Sequence, residues 1–201
     1  MRKTLSLSAM LLLLASPLAL ADESAGGEAK RIVQSLGEQT VAAAKIEDKE
    51  ARRRLLVEAA APAVDFKTIG EGVLSYAGVS VPAGRRAEVM DGVIAFVSRS
   101  ILDEIERIRP ESAKLGDATV TNASEVRVGM QLTGIKDQID ADWVVKKQDA
   151  GWRVTDVMVA GNSLTAHFGG QLARRARGEV EPLVEFLRTE QKRDRVAALA
   201  Q

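Results

Sequence analysis

The chain has 201 residues, no cysteine, one histidine, and 28 basic against 28 acidic side chains. That even balance gives no electrostatic reason for nucleic-acid binding. The lack of cysteine excludes disulfides and a lipid-modified N-terminal cysteine, and with a single histidine it leaves too few of the usual ligands for a zinc site. Stability must come from a hydrophobic core, for which the length suffices.

The chain opens as a leader. Arg2 and Lys3 precede an apolar stretch from Leu5 to Leu14, followed by Ser16, Pro17 and the small-residue site Ala19-Leu20-Ala21. This charged, apolar, small-residue order is that of a secretory signal peptide. Cleavage is expected after Ala21, with export to the bacterial periplasm. The apolar run is shorter than the roughly 20 residues of a membrane span; an uncleaved N-terminal anchor is the alternative. Removal of residues 1–21 leaves a single domain, 22–201, of 180 residues with 26 basic and 28 acidic side chains. Basic clusters at Arg52-Arg53-Arg54, Arg85-Arg86 and Arg174-Arg175 read as solvated helix faces, or as contacts to anionic lipid heads or an acidic partner.

Ser24 to Ile46 carries a small-to-apolar stripe (Ile32, Val33, Leu36, Thr40 to Ala44) and reads as a helix, which Gly37 weakens by about 1 kcal/mol relative to alanine. Asp48 can cap a second helix running to Ala61, with Leu55, Leu56 and Ala59 inward and Pro62 as its stop. Asp65 caps a third, with Ile69, Val73 and Leu74 on one face, before a turn region from Ser75 to Gly84. The longest helix is expected from Pro82 to just before Pro110, with Val89, Val93, Phe96, Val97, Ile101, Ile105 and Ile108 at steps of three and four. At about 27 residues it would be roughly 40 Å long.

The period then changes. Ala118 to Asn122 reads as a short strand. Val126, Val128, Met130 and Leu132 alternate with polar or small neighbours, and Ile139, Ala141, Trp143 and Val145 repeat the pattern. After the turn at Asp149-Ala150-Gly151, Trp152 and Val154 are followed out of step by Val157 and Val159, which suggests a bulge near Asp156. Four strands, with a fifth possible, form an antiparallel meander whose apolar face needs a cover, expected to be the long helix. A helix after Gly161-Asn162 carries Leu164, Phe168 and Leu172, and a last one carries Val180, Leu183, Val184 and Leu187. The fold class is α+β, with a portion like that of the NTF2 and cystatin folds.

Catalytic signals are scarce. His167 sits beside Phe168 in a helix and reads as a surface residue. There is no Gly-x-Ser-x-Gly, phosphate loop or dinucleotide fingerprint. Asp137, Asp140 and Asp142 do not have EF-hand spacing, and Asp140 and Asp142 fit a strand's outward face. The sequence gives no positive reason to expect an enzyme, a metal or a cofactor.

The segment Gly151-Trp152-Arg153-Val154-Thr155-Asp156-Val157, continuing through Gly161-Asn162-Ser163-Leu164 to Phe168 and Gln171-Leu172, resembles the ending of the MlaC family of periplasmic lipid-binding proteins. Val64-Asp65-Phe66-Lys67-Thr68-Ile69 through Val73-Leu74 is similar to an earlier helix of that family, and the order of elements agrees over most of residues 28 to 190. Leu74-Ser75-Tyr76-Ala77-Gly78 departs from the family pattern, as a divergent branch such as the hopanoid-associated relatives would. The resemblance implies a carrier that holds a phospholipid by its tails, leaves the head group in water, and passes it between an inner-membrane ABC transporter complex and an outer-membrane lipoprotein complex. It implies an apolar slot between helices and sheet, lined by Ile69, Val73, Val93, Phe96, Val97, Ile101 and Phe168 from the helices and Val128, Met130, Leu132, Trp143 and Val154 from the sheet. The same residues would equally fill a dry core. A binding module for another apolar ligand, such as a hopanoid, and an enzyme on a similar scaffold are the other readings.

Overall fold

The computed structural model describes residues 17–135 and 137–199, so most of the expected leader lies outside the described residues. In chain order the elements are α1 (Pro17–Ala44), α2 (Lys49–Ala60), α3 (Phe66–Ala77), a 3-10 turn (Ala83–Arg85), α4 (Arg86–Ile108), β1 (Pro110–Asn122), β2 (Glu125–Gly134), β3 (Gln138–Gln148), β4 (Gly151–Val159), β5 (Asn162–Ser163), α5 (Leu164–Ala176) and α6 (Val180–Leu199). The strands form one antiparallel sheet in sequence order, so the fold is α+β.

Local chemistry sets most boundaries. Asp48 accepts the Ala51 N–H, and Asp65 accepts both the N–H and the hydroxyl of Thr68, so the two expected caps start α2 and α3. α3 runs three residues into the expected turn, because its left-handed C-cap is Gly78 at φ 65°. The 3-10 turn delays the long helix from Pro82 to Arg86, and the helix ends at Ile108, with Arg109 as its left-handed C-cap directly before Pro110. β1 is much longer than the expected Ala118–Asn122. Its pairing with β2 slips at three places, and each slip breaks the alternation that would mark it in sequence. β2 and β3 pair without interruption from Glu125↔Lys146 to Thr133↔Gln138. Between β3 and β4 the register jumps from Val144↔Asp156 to Val145↔Val154, leaving Thr155 as the extra residue of a bulge where the sequence suggests one.

The cover of the sheet differs from expectation. α1, not the long helix, lies on the apolar face: Ala29, Val33 and Leu36 are buried with Val126, Val128, Met130, Val145, Trp152 and Val154. Gly37 makes this close approach possible, since a Cβ there would sit 2.7 Å from Met130 Cε and 3.1 Å from Ala113 Cβ. The propensity lost at Gly37 is thus offset by contact with the sheet. α4 instead buries Val89, Val93, Phe96 and Val97 among α3, α5 and α6. Phe96 anchors this helical layer through edge-on contacts with Phe168 and Phe186, at centroid distances of 5.8 and 5.5 Å. A wide apolar stripe shows that a helix is buried on several sides, and α4 meets that demand with helices.

Polar contacts join the layers at their margins. Asp65 N–H donates to Val154 O and Val154 N–H to Ala63 O, both at 2.8 Å, so the link between α2 and α3 protects one edge of β4. Arg53, in the first basic cluster, is not a solvated side chain: its guanidinium pairs with Glu106 at 2.7 Å and with Asp103, pinning α2 to α4. Arg52 donates to Ile46 O. Arg99 and Glu190 pair between α4 and α6, where Glu190 is buried.

Two expected outcomes follow. Gly169 lies where α5 crosses α3, and an added Cβ would fall 2.8 Å from Val73 O, a backbone atom, whereas at Gly170 it would meet only the end of Arg174, at 3.7 Å. In urea unfolding, Gly169→Ala should lose about 1–3 kcal/mol through overpacking, while Gly170→Ala should gain up to about 1 kcal/mol of helix propensity. The second outcome concerns Glu106. Burial acts to raise its carboxyl pKa, but the hydrogen bond from Arg53 and the charges of Arg53, Lys49 and Arg52 together outweigh that and hold it below the usual 4.5. A depressed folded pKa contributes stability above the unfolded value, and the contribution is lost as pH falls through the folded value. The stability lead of wild type over Glu106→Gln should therefore shrink on acidification between about pH 5 and pH 3.

Candidate functional site

The apolar interior consists of two clusters, one between α1 and the sheet and one within α3 to α6. Of the residues expected to line a slot, Ile69, Val73, Val93, Phe96, Val97 and Phe168 are buried in the helical cluster and Ile101 packs at its margin. Val128, Met130 and Val154 are buried in the sheet cluster, where Leu132 and Trp143 are partly buried. The structure thus brings the helix set together and the sheet set together, in separate groups. Val64 packs against both. Sequence reasoning missed it because it lies between Pro62 and the Asp65 cap, in a segment with no periodicity. The only available signal was an apolar residue in a linker.

Burial along the inward face of the sheet is graded. Register places Val126, Val145 and Val154 in one row, and these are 0 to 1% exposed. The next rows are Val128, Trp143 and Val157, then Met130, Ala141 and Val159, then Leu132 and Ile139. In these rows Leu132, Ile139, Ala141, Trp143, Val157 and Val159 keep partial exposure. α1 runs along β1 and β2, with Gly26 near Ala118 and Gly37 near Met130 and Ala113, so one helix leaves the β3 and β4 side incompletely covered. The result is an apolar wall that is dry at one end and partly open toward the other. Within it the Trp143 indole N–H is buried and meets no acceptor among the described residues.

The start of α5 is fixed to this wall by one carboxylate. Asp156 accepts from the Val157 N–H at 2.9 Å, from the Thr165 N–H and hydroxyl at 3.1 and 2.8 Å, and from the Ser163 hydroxyl at 2.5 Å. Ser163 in turn accepts the Ala166 N–H as the helix cap. This network accounts for the Asp and Ser of the Trp-x-Val-x-Asp-Val…Ser-Leu pattern: they aim the helix that carries Phe168 toward the helical cluster.

Other polar groups have ordinary partners. Asp137 pairs with Arg107, Asp140 accepts from Gln131, and the exposed His167 ring contacts Gln171. Among the described residues, no three His, Cys, Asp or Glu side chains are grouped so as to hold a metal ion. A shallow depression of about 400 Å³ opens on the outward face of the sheet, with Lys114, Gln131, Asp140, Asp142 and Met158 in its lining. It lies across the sheet from the apolar wall. Among the described residues no helix is long and apolar enough to cross a membrane.

The architecture is an antiparallel sheet with a partly open apolar face, beside a separate helical layer. The MlaC protein family model matches residues 30–189, and the chain belongs to that family. No curated protein matches it in sequence. Among solved structures it is similar to a phospholipid-binding protein from Ralstonia solanacearum in complex with a phospholipid, with 20% identity, 86% of this chain and 99% of that chain covered, and a TM-score of 0.67. At that identity the likeness establishes the fold.

The Asp156 network leads to an expected outcome. Asp156→Ala removes acceptors from Thr165 and Ser163 together and should cost about 1–3 kcal/mol in urea unfolding. Its thermal transition should fall while far-ultraviolet circular dichroism at 20–25 °C, roughly room temperature, stays native-like.

Proposed function

We propose that this protein is a non-enzymatic periplasmic carrier, which encloses the acyl tails of a phospholipid between the sheet and the helical layer and ferries it between an inner-membrane ABC transporter complex and an outer-membrane lipoprotein complex. Membership of the MlaC family and the phospholipid held by the similarly folded Ralstonia protein support the reading. The observation that carries it is the partly exposed apolar wall at Leu132, Ile139, Ala141, Trp143 and Val157, on a sheet whose buried cluster shares Val64 with the helical one.

The energetics favour a boundary between clusters. Each methylene left in water costs about 0.8 kcal/mol, so a carrier must enclose nearly the whole tail. Opening a path through one dense cluster would sacrifice its packing. Parting two clusters disturbs only the contacts between them, while the hydrogen bonds at Val154 and Asp156 hold the margins. The lining proposed for the slot is the sequence-derived set, Ile69, Val73, Val93, Phe96, Val97, Ile101 and Phe168 facing Val128, Met130, Leu132, Trp143 and Val154. The head group stays in water, which avoids a buried charge without a partner. Cleavage after Ala21 would leave the sheet-covering residues of α1, from Ala25 onward, in the mature domain.

Lipid extracted from natively purified protein and analysed by mass spectrometry should contain two-tailed phospholipids with more than one head group. Recovery of a sterol-like lipid alone, or of no lipid together with no uptake from vesicles, would overturn the reading. Leu132→Asp and Val157→Asp introduce a charge at partly exposed positions of the wall. Each should slow transfer between donor and acceptor vesicles by more than about tenfold, because a buried unpaired charge costs several kcal/mol.

A further inference from the structure

One polar group inside the apolar wall has no partner among the described residues. Trp143 lies at the centre of the sheet, between Val128 on β2 and Val157 on β4, and the residue keeps partial exposure while its Nε1 is buried. The neighbouring rows on that face are apolar in every strand: Val126, Val145 and Val154 to one side, and Met130, Ala141 and Val159 to the other. Buried donors in folded proteins are nearly always paired, and an orphan one is destabilising. A phenylalanine would fill the same wall without that penalty. No side chain among the described residues supplies the acceptor, which leaves that role to a bound ligand or to water.

We propose that the Trp143 indole N–H is the polar anchor of the lipid site, donating a hydrogen bond to an acyl-ester carbonyl oxygen and so fixing how deeply the tails sit. This rests on the lipid-binding reading above. The chemistry of the face selects the acceptor. Indole is a single neutral donor with no acceptor capacity. A phosphate beside it would be a buried anion on a face that carries no cation. A hydroxyl would bring a second donor and leave it unpaired among valines. An ester carbonyl is neutral, only accepts, and lies at the junction between tail and head. Tryptophan occupies that same level at membrane surfaces, where its apolar ring meets hydrocarbon and its N–H meets polar groups.

The test compares two synthetic phosphatidylethanolamines of equal chain length, one with two ester-linked chains and one with two ether-linked chains, which lack the carbonyls. Both are presented in vesicles to the mature full-length domain. Wild type should prefer the diester by about three- to tenfold, the range expected of one net hydrogen bond. Trp143→Phe should bind both lipids with that preference abolished. Any general loss of packing from the smaller ring affects both lipids alike and cancels in the ratio. As a second measurement that needs no variant, the Trp143 Nε1–H resonance of 15N-labelled wild type should move downfield on loading with the diester and not with the diether. A diester preference that survives in Trp143→Phe overturns the anchor. So does wild-type binding of both lipids with equal affinity, or a resonance already hydrogen-bonded to water in the lipid-free protein and unchanged on loading. In those cases the carrier reading stands. Failure of wild type to take up either lipid defeats the carrier reading itself, and the anchor with it.

Discussion

The apolar face of a four-strand meander is wider than one helix can cover, and this mismatch governs the rest of the architecture. α1 lies tight against β1 and β2 because Gly37 removes the side chain that would hold it off Met130. Close contact at one place confines the cover there. Toward β3 and β4 the wall has valines, an isoleucine and a tryptophan that keep partial exposure. A solid core of this size would be expected to bury these residues fully, so their state reflects how the layers are assembled.

The helical layer has its own reasons to cohere. Phe96, Phe168 and Phe186 interlock edge to face, and Leu172, Leu183 and Val73 fill the space around them, so α3 to α6 pack as a unit without help from the sheet. That unit attaches to the sheet along borders: the backbone pairing of Ala63 and Asp65 with Val154, the Asp156 network at the start of α5, and the direct passage from α4 into β1. Directional bonds at the rim and dispersion contacts across the middle give a seam whose outline is fixed and whose interior is soft. A hydrocarbon chain, which asks for no directional partner, suits the middle of such a seam.

Much of this fold was legible in the sequence, for physical reasons that differ by element. Asp48 and Asp65 announced helix starts because caps act over three residues, and β2 and β3 announced themselves because their ladder is unbroken. β1 was legible only in its last five residues, since its slips destroy the period, and β5 is too short to have one. The cover of the sheet was misread because amphipathicity reports that a stripe is buried, not which partner buries it. α4 had the stronger stripe, and α1 had the glycine. Arg53 looked like a solvated charge because its partners, Asp103 and Glu106, lie fifty residues away in sequence. The site was half legible: both lining sets are apolar and inward, but their division into two clusters joined by Val64 depends on long-range packing that no local pattern encodes.

The extra residue in β4 acts as a change of parity. Trp152 and Val154 obey strict alternation; after Thr155 the count restarts, so Val157 and Val159 return to the face they would otherwise have left. One inserted residue thus keeps both halves of the strand on the same wall, while Asp156, paired with Val144 directly after the bulge, accepts from Thr165 at the start of the helix that follows. The odd spacing in the Trp-x-Val-x-Asp-Val signature is therefore a structural record. It marks the point where a strand serves two layers at once, and a version one residue shorter would face the wrong way for the rest of its length.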